Sequence, residues 1–278
     1  MITSSLQNKI DQSIRLLQQV QNAHPDEVIE IAYSGGKDSD VILQLAKEAG
    51  IRYEAIYKNT TIDPPGTIRH AQEVGATIIR PKRTFAELIQ SSGLPTRFSR
   101  FCCKELKEYK VRDVAVMGIR KSESSKRAKL YSEPTECRFY GSKKNHVEAI
   151  YPILEWTDKD VAVFITDRKI KCAPIYYDAD GVFHVERRLG CMCCPLASKK
   201  KRISSFKMHR GMVRFYIRNL RIFRETHPDV KAWKYFRSEY EQFAYDVFYK
   251  DISIKKFKQQ MFDTDWKKLL EEYFNIKL

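Results

Sequence analysis

The hydrophobic pattern changes period along the chain, and each change marks an element. Leu6, Ile10, Ile14, Leu17 and Val20 recur at helical spacing, which predicts an amphipathic helix over residues 4–23. Val28–Tyr33 is an apolar run read as a buried strand, and Asp38–Ala49 carries Val41, Ile42, Leu45 and Ala46 at helical spacing. Arg52–Tyr57 (RYEAIY) alternates like a strand, Pro64–Val74 can form a helix entered through its prolines, and Ala76–Arg80 (ATIIR) is another short strand. Thr84–Ser92 predicts a short helix capped by Thr84, Cys102–Lys110 a further helix, and Val111–Ile119 a strand. Val147–Ile150 adds a strand, and Thr157–Arg168 a helix capped by Thr157 with Asp158 and Asp160 in its first turn. Tyr176–Gly181 (YYDADG) reads as a turn, and from about Leu196 the pattern is helical and basic, broken near Pro228.

Strand and helix thus alternate from residue 28 to about 120. That predicts an α/β fold with a parallel twisted sheet and helices on both faces. The expected division is a domain over 1–195 followed by a basic helical region over 196–278. Ligands of such sheets bind at the carboxyl ends of the strands, near the point where strand order reverses. The segment Ser34-Gly35-Gly36-Lys37-Asp38-Ser39 sits at the end of the first strand.

Composition sharpens this. The 278 residues are 43% hydrophobic and 31% charged, enough for a core under a very polar surface. No apolar run reaches membrane-spanning length, and the N-terminus is too polar for a signal peptide, so the expectation is a cytoplasmic protein with no membrane partner. Net charge is +15, and residues 195–278 hold 20 Lys+Arg against 10 Asp+Glu, an excess that suits a polyanionic partner such as nucleic acid. The segment Ser198–Phe223 interleaves cations with Phe206, Phe215, Tyr216 and Phe223, which on a helix gives an apolar and a cationic face. It is read either as packing on the main domain or as a contact for a DNA or RNA backbone. The seven cysteines are odd in number, and five fall in two tight clusters, which points to metal or redox chemistry rather than a disulfide framework. Basic neighbours Lys104, Arg187 and Arg188 would lower thiol pKa values there. None of the six histidines is paired at metal-ligand spacing, although His184 precedes the second cysteine cluster.

SGGKDS offers what a phosphate needs. Gly35 and Gly36 let amides approach, a helix N-terminus favours anions, Ser34 and Ser39 add hydroxyls, and Lys37 adds charge. Asp38 beside phosphate makes sense as a Mg²⁺ ligand. The spacing is not that of the common P-loop.

SGGKDS resembles the pyrophosphate loop of the N-type ATP pyrophosphatases (PP-loop superfamily) and phosphoadenosine phosphosulfate (PAPS) reductases. Gly118-Ile119-Arg120-Lys121-Ser122-Glu123 with Arg127, Trp156-Thr157-Asp158-Lys159-Asp160-Val161, and Gly190-Cys191-Met192-Cys193-Cys194-Pro195 resemble further elements of that superfamily, in its order. The chain is identified on these motifs as a member of the PAPS reductase family. The resemblance implies an adenine nucleotide alpha-hydrolase-like, Rossmann-like fold. It implies phosphates held by Ser34, Gly35, Gly36, Lys37, Asp38 and Ser39, and adenine beside Tyr57, Asn59 and Thr60. Gly118 and Arg120 would lie at the phosphate or sulfonate end, assisted by Arg127, with Lys37, Asp38 and Arg120 as the catalytic set. Glu123 is either a structural partner of that arginine or a metal ligand. The pair Cys102-Cys103 with Cys191 and Cys194 resembles the ligand pattern of a [4Fe–4S] cluster, with Cys193 a substitute; structural zinc or plain buried thiols are the alternatives. Cys137 and Cys172 stand alone.

The functional expectation is ATP-pyrophosphatase-type activation for sulfur transfer, with Mg²⁺, of the kind that thiolates nucleic acids or makes phosphorothioates. A first alternative is a sulfonucleotide reductase that makes sulfite from PAPS or its unphosphorylated analogue APS. Against it, no cysteine follows Cys194, where such reductases carry a Glu-Cys-Gly-Leu-His element. A second alternative is a non-catalytic nucleotide- and metal-binding module. The partners expected are the nucleotide, nucleic acid, a sulfur donor or a thioredoxin-like reductant, and a second copy in a homodimer.

Overall fold

The computed structural model describes residues 2–96, 98–140, 142–261 and 263–278. In chain order the elements are α1 (Ser4–Ala23), β1 (Ile29–Tyr33), α2 (Lys37–Ala49), β2 (Tyr53–Lys58), α3 (Thr67–Glu73), β3 (Thr77–Ile79), α4 (Phe85–Ser92) and α5 (Phe101–Leu106). They continue as β4 (Val114–Val116), α6 (Ser125–Leu130), β5 (Thr135–Tyr140), β6 (Ser142–Ile150), α7 (Asp158–Asp167), α8 (Lys199–Met208), α9 (Gly211–Thr226), α10 (Glu239–Ala244), α11 (Ile254–Gln260) and α12 (Trp266–Phe274). Among the described residues no helix is long and apolar enough to cross a membrane. The chain divides into two compact units: Met1–Asn59, Asp63–Arg80 and Glu108–Leu189 form one, and Thr60–Ile62, Pro81–Lys107 and Gly190–Leu278 the other. The basic C-terminal region thus shares its unit with residues 81–107.

The first unit holds a six-stranded sheet in the order β3-β2-β1-β4-β6-β5. Every neighbouring pair is parallel except β5 with β6. Strand order reverses at β1, so the loop after Tyr33 leaves the sheet at its switch point. Ile29, Ile31 and Tyr33 of β1 are buried, as a central parallel strand requires. Leu6, Ile10 and Leu17 of α1, Val41, Ile42 and Leu45 of α2, and Val161 and Phe164 of α7 join them in one core.

Several elements differ from the pattern reading: α6 is not marked by it, α5 ends at Leu106 rather than Lys110, and β6 starts at Ser142 rather than Val147. β5 has no apolar run, because as an edge strand it alternates exposed and half-buried residues. The helix expected from Pro64 starts at Thr67, since Gly66 at φ +86° forms its entry turn. The strand expected over Val111–Ile119 narrows to Val114–Val116, which pairs with β1 and β6.

The second unit is helical. Phe206 meets Tyr216 at 5.3 Å and Phe243 at 5.2 Å, both edge to face, an arrangement that adds to simple burial. The basic segment 198–223 forms two helices rather than one continuous face. α9 buries Val213, Tyr216, Ile217, Leu220 and Phe223, whereas α8 buries only Phe206 and Arg202. Arg202, though part of the KKKR run, is 4% exposed, pairs with Asp246 at 2.7 Å and donates to the Asp246 carbonyl at 2.9 Å. Removing the carboxylate would strand a buried cation. Asp246→Ala is therefore expected to cost about 3–5 kcal/mol in chemical denaturation, while Asp251→Ala, which breaks only the exposed Lys199 pair, leaves the midpoint in place.

Candidate functional site

The phosphate loop begins where β1 ends. Gly35 has φ +74°, and a Cβ there would stand 2.7 Å from the Thr67 methyl, so the position demands glycine twice over. Gly36 is the N-cap of α2 and supplies no side-chain cap, and the Ser39 and Asp40 amides bond back to its carbonyl at 2.9 and 3.1 Å. Ser34 and Ser39 brace the loop: Ser39 Oγ donates to the Gly36 carbonyl at 2.7 Å and accepts from the Ser34 amide at 3.3 Å, and Ser34 Oγ accepts from the Gly36 amide at 3.3 Å. Lys37 is 3% exposed, with its ammonium 5.5 Å from the Tyr176 ring centre and 3.2 Å from Asp38 Oδ2.

Asp38 is clamped from the other side. Arg120 Nε donates to Asp38 Oδ1 at 2.7 Å, Nη2 to Asp158 Oδ1 at 2.7 Å, and Nη1 to Ser122 Oγ at 2.8 Å and the Trp156 carbonyl at 3.3 Å. Arg120 was expected to reach toward phosphate. In the structure it is 1% exposed, and these donors go to Asp38, Asp158, Ser122 and the Trp156 carbonyl. Gly118 permits this, because a Cβ there would meet the Asp38 backbone at 3.0 Å. Glu123 accepts from the Arg120 amide at 3.4 Å and pairs with Arg127 and, at 3.7 Å, Arg188. Arg127 stands beside it, within the fields of Arg188, Asp38 and Arg120.

β1 and β2 run in register, Tyr33 opposite Tyr57, so the expected adenine side is next to the loop. Tyr57 is buried and donates to Asp63 Oδ2 at 2.6 Å, and the Asn59 amide continues the sheet to Ile79 at 3.0 Å. Thr60 belongs to the second unit, where its hydroxyl is 3.7 Å from Cys191 Sγ.

Sequence reasoning missed Tyr176 and Asp158. The Tyr176 hydroxyl accepts from the Leu189 amide at 3.3 Å, and burial pushes its pKa up to about 12. Nothing in the local pattern marks it; it arrives from a 3-10 turn over Pro174–Tyr176. Behind the loop, Asp40 Oδ1 accepts from Tyr33 at 2.5 Å and lies 3.0 Å from His70 Nε2. His184 pins the turn that follows Tyr176: its amide donates to the Tyr176 carbonyl at 2.7 Å, and its ring meets Asp178 at 2.9 Å and Glu186 at 3.0 Å.

In the second unit, Cys102, Cys103, Cys191 and Cys194 line one cavity with Thr60, Ile62 and Leu106. The Cys102 thiol is pushed far up, first by its hydrogen bond with Cys103, then by burial and by the charges of Cys103, Cys194 and Cys191. Basic neighbours therefore do not lower it as expected; Arg187 donates to the Ile175 and Tyr177 carbonyls and Arg188 to that of Glu123. Among the described residues no three His, Cys, Asp or Glu side chains close on an ion position, so the four thiols share a wall rather than a finished coordination shell. Cys193 lies outside that wall. It is 1% exposed at φ +56°, its amide donates to Ser205 at 3.0 Å, and burial pushes its thiol up to about 11. Cys172 is buried and Cys137 exposed.

Residues 29–197 match the model of a family described as the phosphoadenosine phosphosulfate reductase domain. An uncharacterized protein of Methanocaldococcus jannaschii is 32% identical over 183 residues, covering 61% of this chain and 42% of that relative, so the match spans less than half the relative's length. Among solved structures, the PAPS reductase of Candida auris in a phosphate complex is 16% identical with TM-score 0.44 over 62% of this chain and 90% of that one. The U34-tRNA thiolase NcsA of Methanococcus maripaludis, with its [4Fe-4S] cluster, is 15% identical with TM-score 0.39 over 81% and 82%.

Two outcomes follow from the burial and the hydrogen bonds. In the native protein purified without bound metal, a thiol reagent should modify Cys137 fastest and Cys172 and Cys193 only at the rate of unfolding; a fast-reacting Cys193 would contradict its placement. His184 should titrate above the ordinary 6.5, chiefly because Asp178 bonds to it. Its pair with Asp178 then stabilises the turn fully below pH 6.5 and is lost as pH rises through the folded-state value. An NMR titration should show that midpoint fall in Asp178→Asn.

Proposed function

This chain belongs to the phosphoadenosine phosphosulfate reductase domain family, and we propose that it binds ATP at Ser34–Ser39 and uses α-phosphate activation to transfer sulfur to a nucleic-acid acceptor. The observation that carries the reading is the Asp38 carboxylate held between Lys37 and Arg120 at the head of α2, on the sheet's switch point. Loop amides and Lys37 receive the phosphates. One carboxylate suits Mg²⁺ when phosphate oxygens complete the shell, so Asp38 would hold the ion. Arg120 keeps that carboxylate aimed while remaining itself out of solvent. An acceptor oxygen attacks the α-phosphorus, the bond from that phosphorus to the bridging oxygen breaks, and pyrophosphate leaves. A sulfide-class donor then displaces AMP, which carries the acceptor oxygen away. Lys37 offsets the charge that develops on the phosphates.

Four thiols on one largely apolar wall fit a [4Fe–4S] cluster by donor chemistry, and Cys102, Cys103, Cys191 and Cys194 would hold it. The cluster would supply a site for binding and delivering sulfur.

The test is anaerobic purification with iron, sulfide and zinc quantified, followed by pyrophosphate release from ATP with RNA or DNA acceptors and sulfide. About four irons and four sulfides per chain are expected, lost in Cys102→Ser and Cys191→Ser. Lys37→Ala or Asp38→Ala should lower pyrophosphate release about 10²–10³-fold. Sulfite release from PAPS or APS with thioredoxin would replace this reading with the reductase. One zinc, no iron and no pyrophosphate with any acceptor would leave a binding module.

A further inference from the structure

The second unit contains 26 Lys+Arg against 12 Asp+Glu, a net +14 of the chain's +15. Many of those cations are already neutralised: Arg202 and Lys250 by Asp246, Lys199 by Asp251, Arg221 by Glu239. Arg214 and Arg218 are exposed on α9, and among the described residues neither makes an ion pair or a hydrogen bond. They lie four residues apart, one helical turn, so they project from one face about 6 Å apart along the axis. That spacing is close to the separation of successive phosphates on one strand.

Both arginines line a groove of about 690 Å³. Ala86 and Gln90 of α4 form one wall, and Phe215 and Ile222 give an apolar floor. Phe215 is half-buried and stacks on Phe85 with ring centres 6.3 Å apart and planes within 10°. Uncompensated guanidinium groups flanking an aromatic floor are the elements that hold single strands, where phosphates take the cations and unpaired bases take the apolar surface. A duplex would keep its bases stacked inside and leave the floor unused, whereas every unpaired base of a single strand carries a flat face for it.

We infer that this groove, with Arg214 and Arg218, is the docking surface for a single-stranded nucleic-acid segment. The inference rests on the acceptor class proposed above and deepens it by naming the surface. The test is fluorescence anisotropy of the full chain with a labelled 12-nucleotide single-stranded RNA and its DNA counterpart, across a KCl series. Arg214→Glu with Arg218→Glu should weaken binding at least tenfold and shallow the log–log salt slope by about 1.4, at about 0.7 per single-strand phosphate. Lys267→Glu with Lys268→Glu makes the same charge change on exposed positions of α12 and should stay within twofold. ATP affinity, read by calorimetry, should be unchanged in both variants.

Equal losses in both variants would overturn the inference, because charge alone would then explain binding. So would polyglutamate competing as well as RNA, or duplex DNA binding as tightly as the single strand. Arginine-dependent RNA binding without pyrophosphate release would sink the sulfur-transfer reading alone. Pyrophosphate release with binding indifferent to Arg214 and Arg218 would sink this inference alone.

Discussion

A guanidinium with 1% of its side chain exposed organises the carboxyl end of the sheet. Burying such a group is tolerable only where acceptors surround it. Arg120 collects them from separate stretches of chain: Asp38 from the first turn of α2, Ser122 from the segment after β4, the Trp156 carbonyl from the approach to α7, and Asp158 from its first turn. The loop, the strand that follows the sheet's reversal and the capped start of α7 are therefore one unit mechanically. Asp38 sits in the middle of it, with a cation on each oxygen. A carboxylate so placed has little freedom to swing, which is the property a metal- or phosphate-facing group needs.

Charge is partitioned as sharply as structure. The sheet-bearing unit is close to neutral, with 24 Lys+Arg against 23 Asp+Glu, and buries ion pairs around its loop, among them Lys37 and Arg120 with Asp38. The helical unit holds nearly all the excess. Within it the cations divide again, since Arg202 is consumed as a core residue under Asp246 while Arg214 and Arg218 on the outward face of α9 make no ion pair among the described residues. A basic run is thus not one surface, and only burial and pairing separate its structural from its available members.

The cysteines make the same point at closer range. Cys193 and Cys194 are neighbours in sequence, yet a left-handed backbone at Cys193 turns its thiol into the aromatic core beside Ser205, whereas Cys194 faces the cavity with Cys102, Cys103 and Cys191. The Cys102 thiol rises first because it hydrogen-bonds with Cys103, then because burial and the charges of the neighbouring thiols disfavour its ionised form, despite the abundance of cations in the chain.

The alternation of apolar runs and helical spacing was enough to determine the parallel α/β architecture, the caps at Thr84 and Thr157, and the loop at the tip of β1. These follow from local rules, because period, capping and glycine at positive φ act within a few residues. The edge strand β5 escaped, since half-exposed strands carry no apolar signature. Nor did sequence reveal that Arg120 faces carboxylates rather than open space, that the Tyr176 ring sits beside the Lys37 ammonium, or that KKKR contributes a buried arginine. Those were decided by tertiary structure alone, because they depend on which acceptors a distant segment brings and on how much water is left once it arrives.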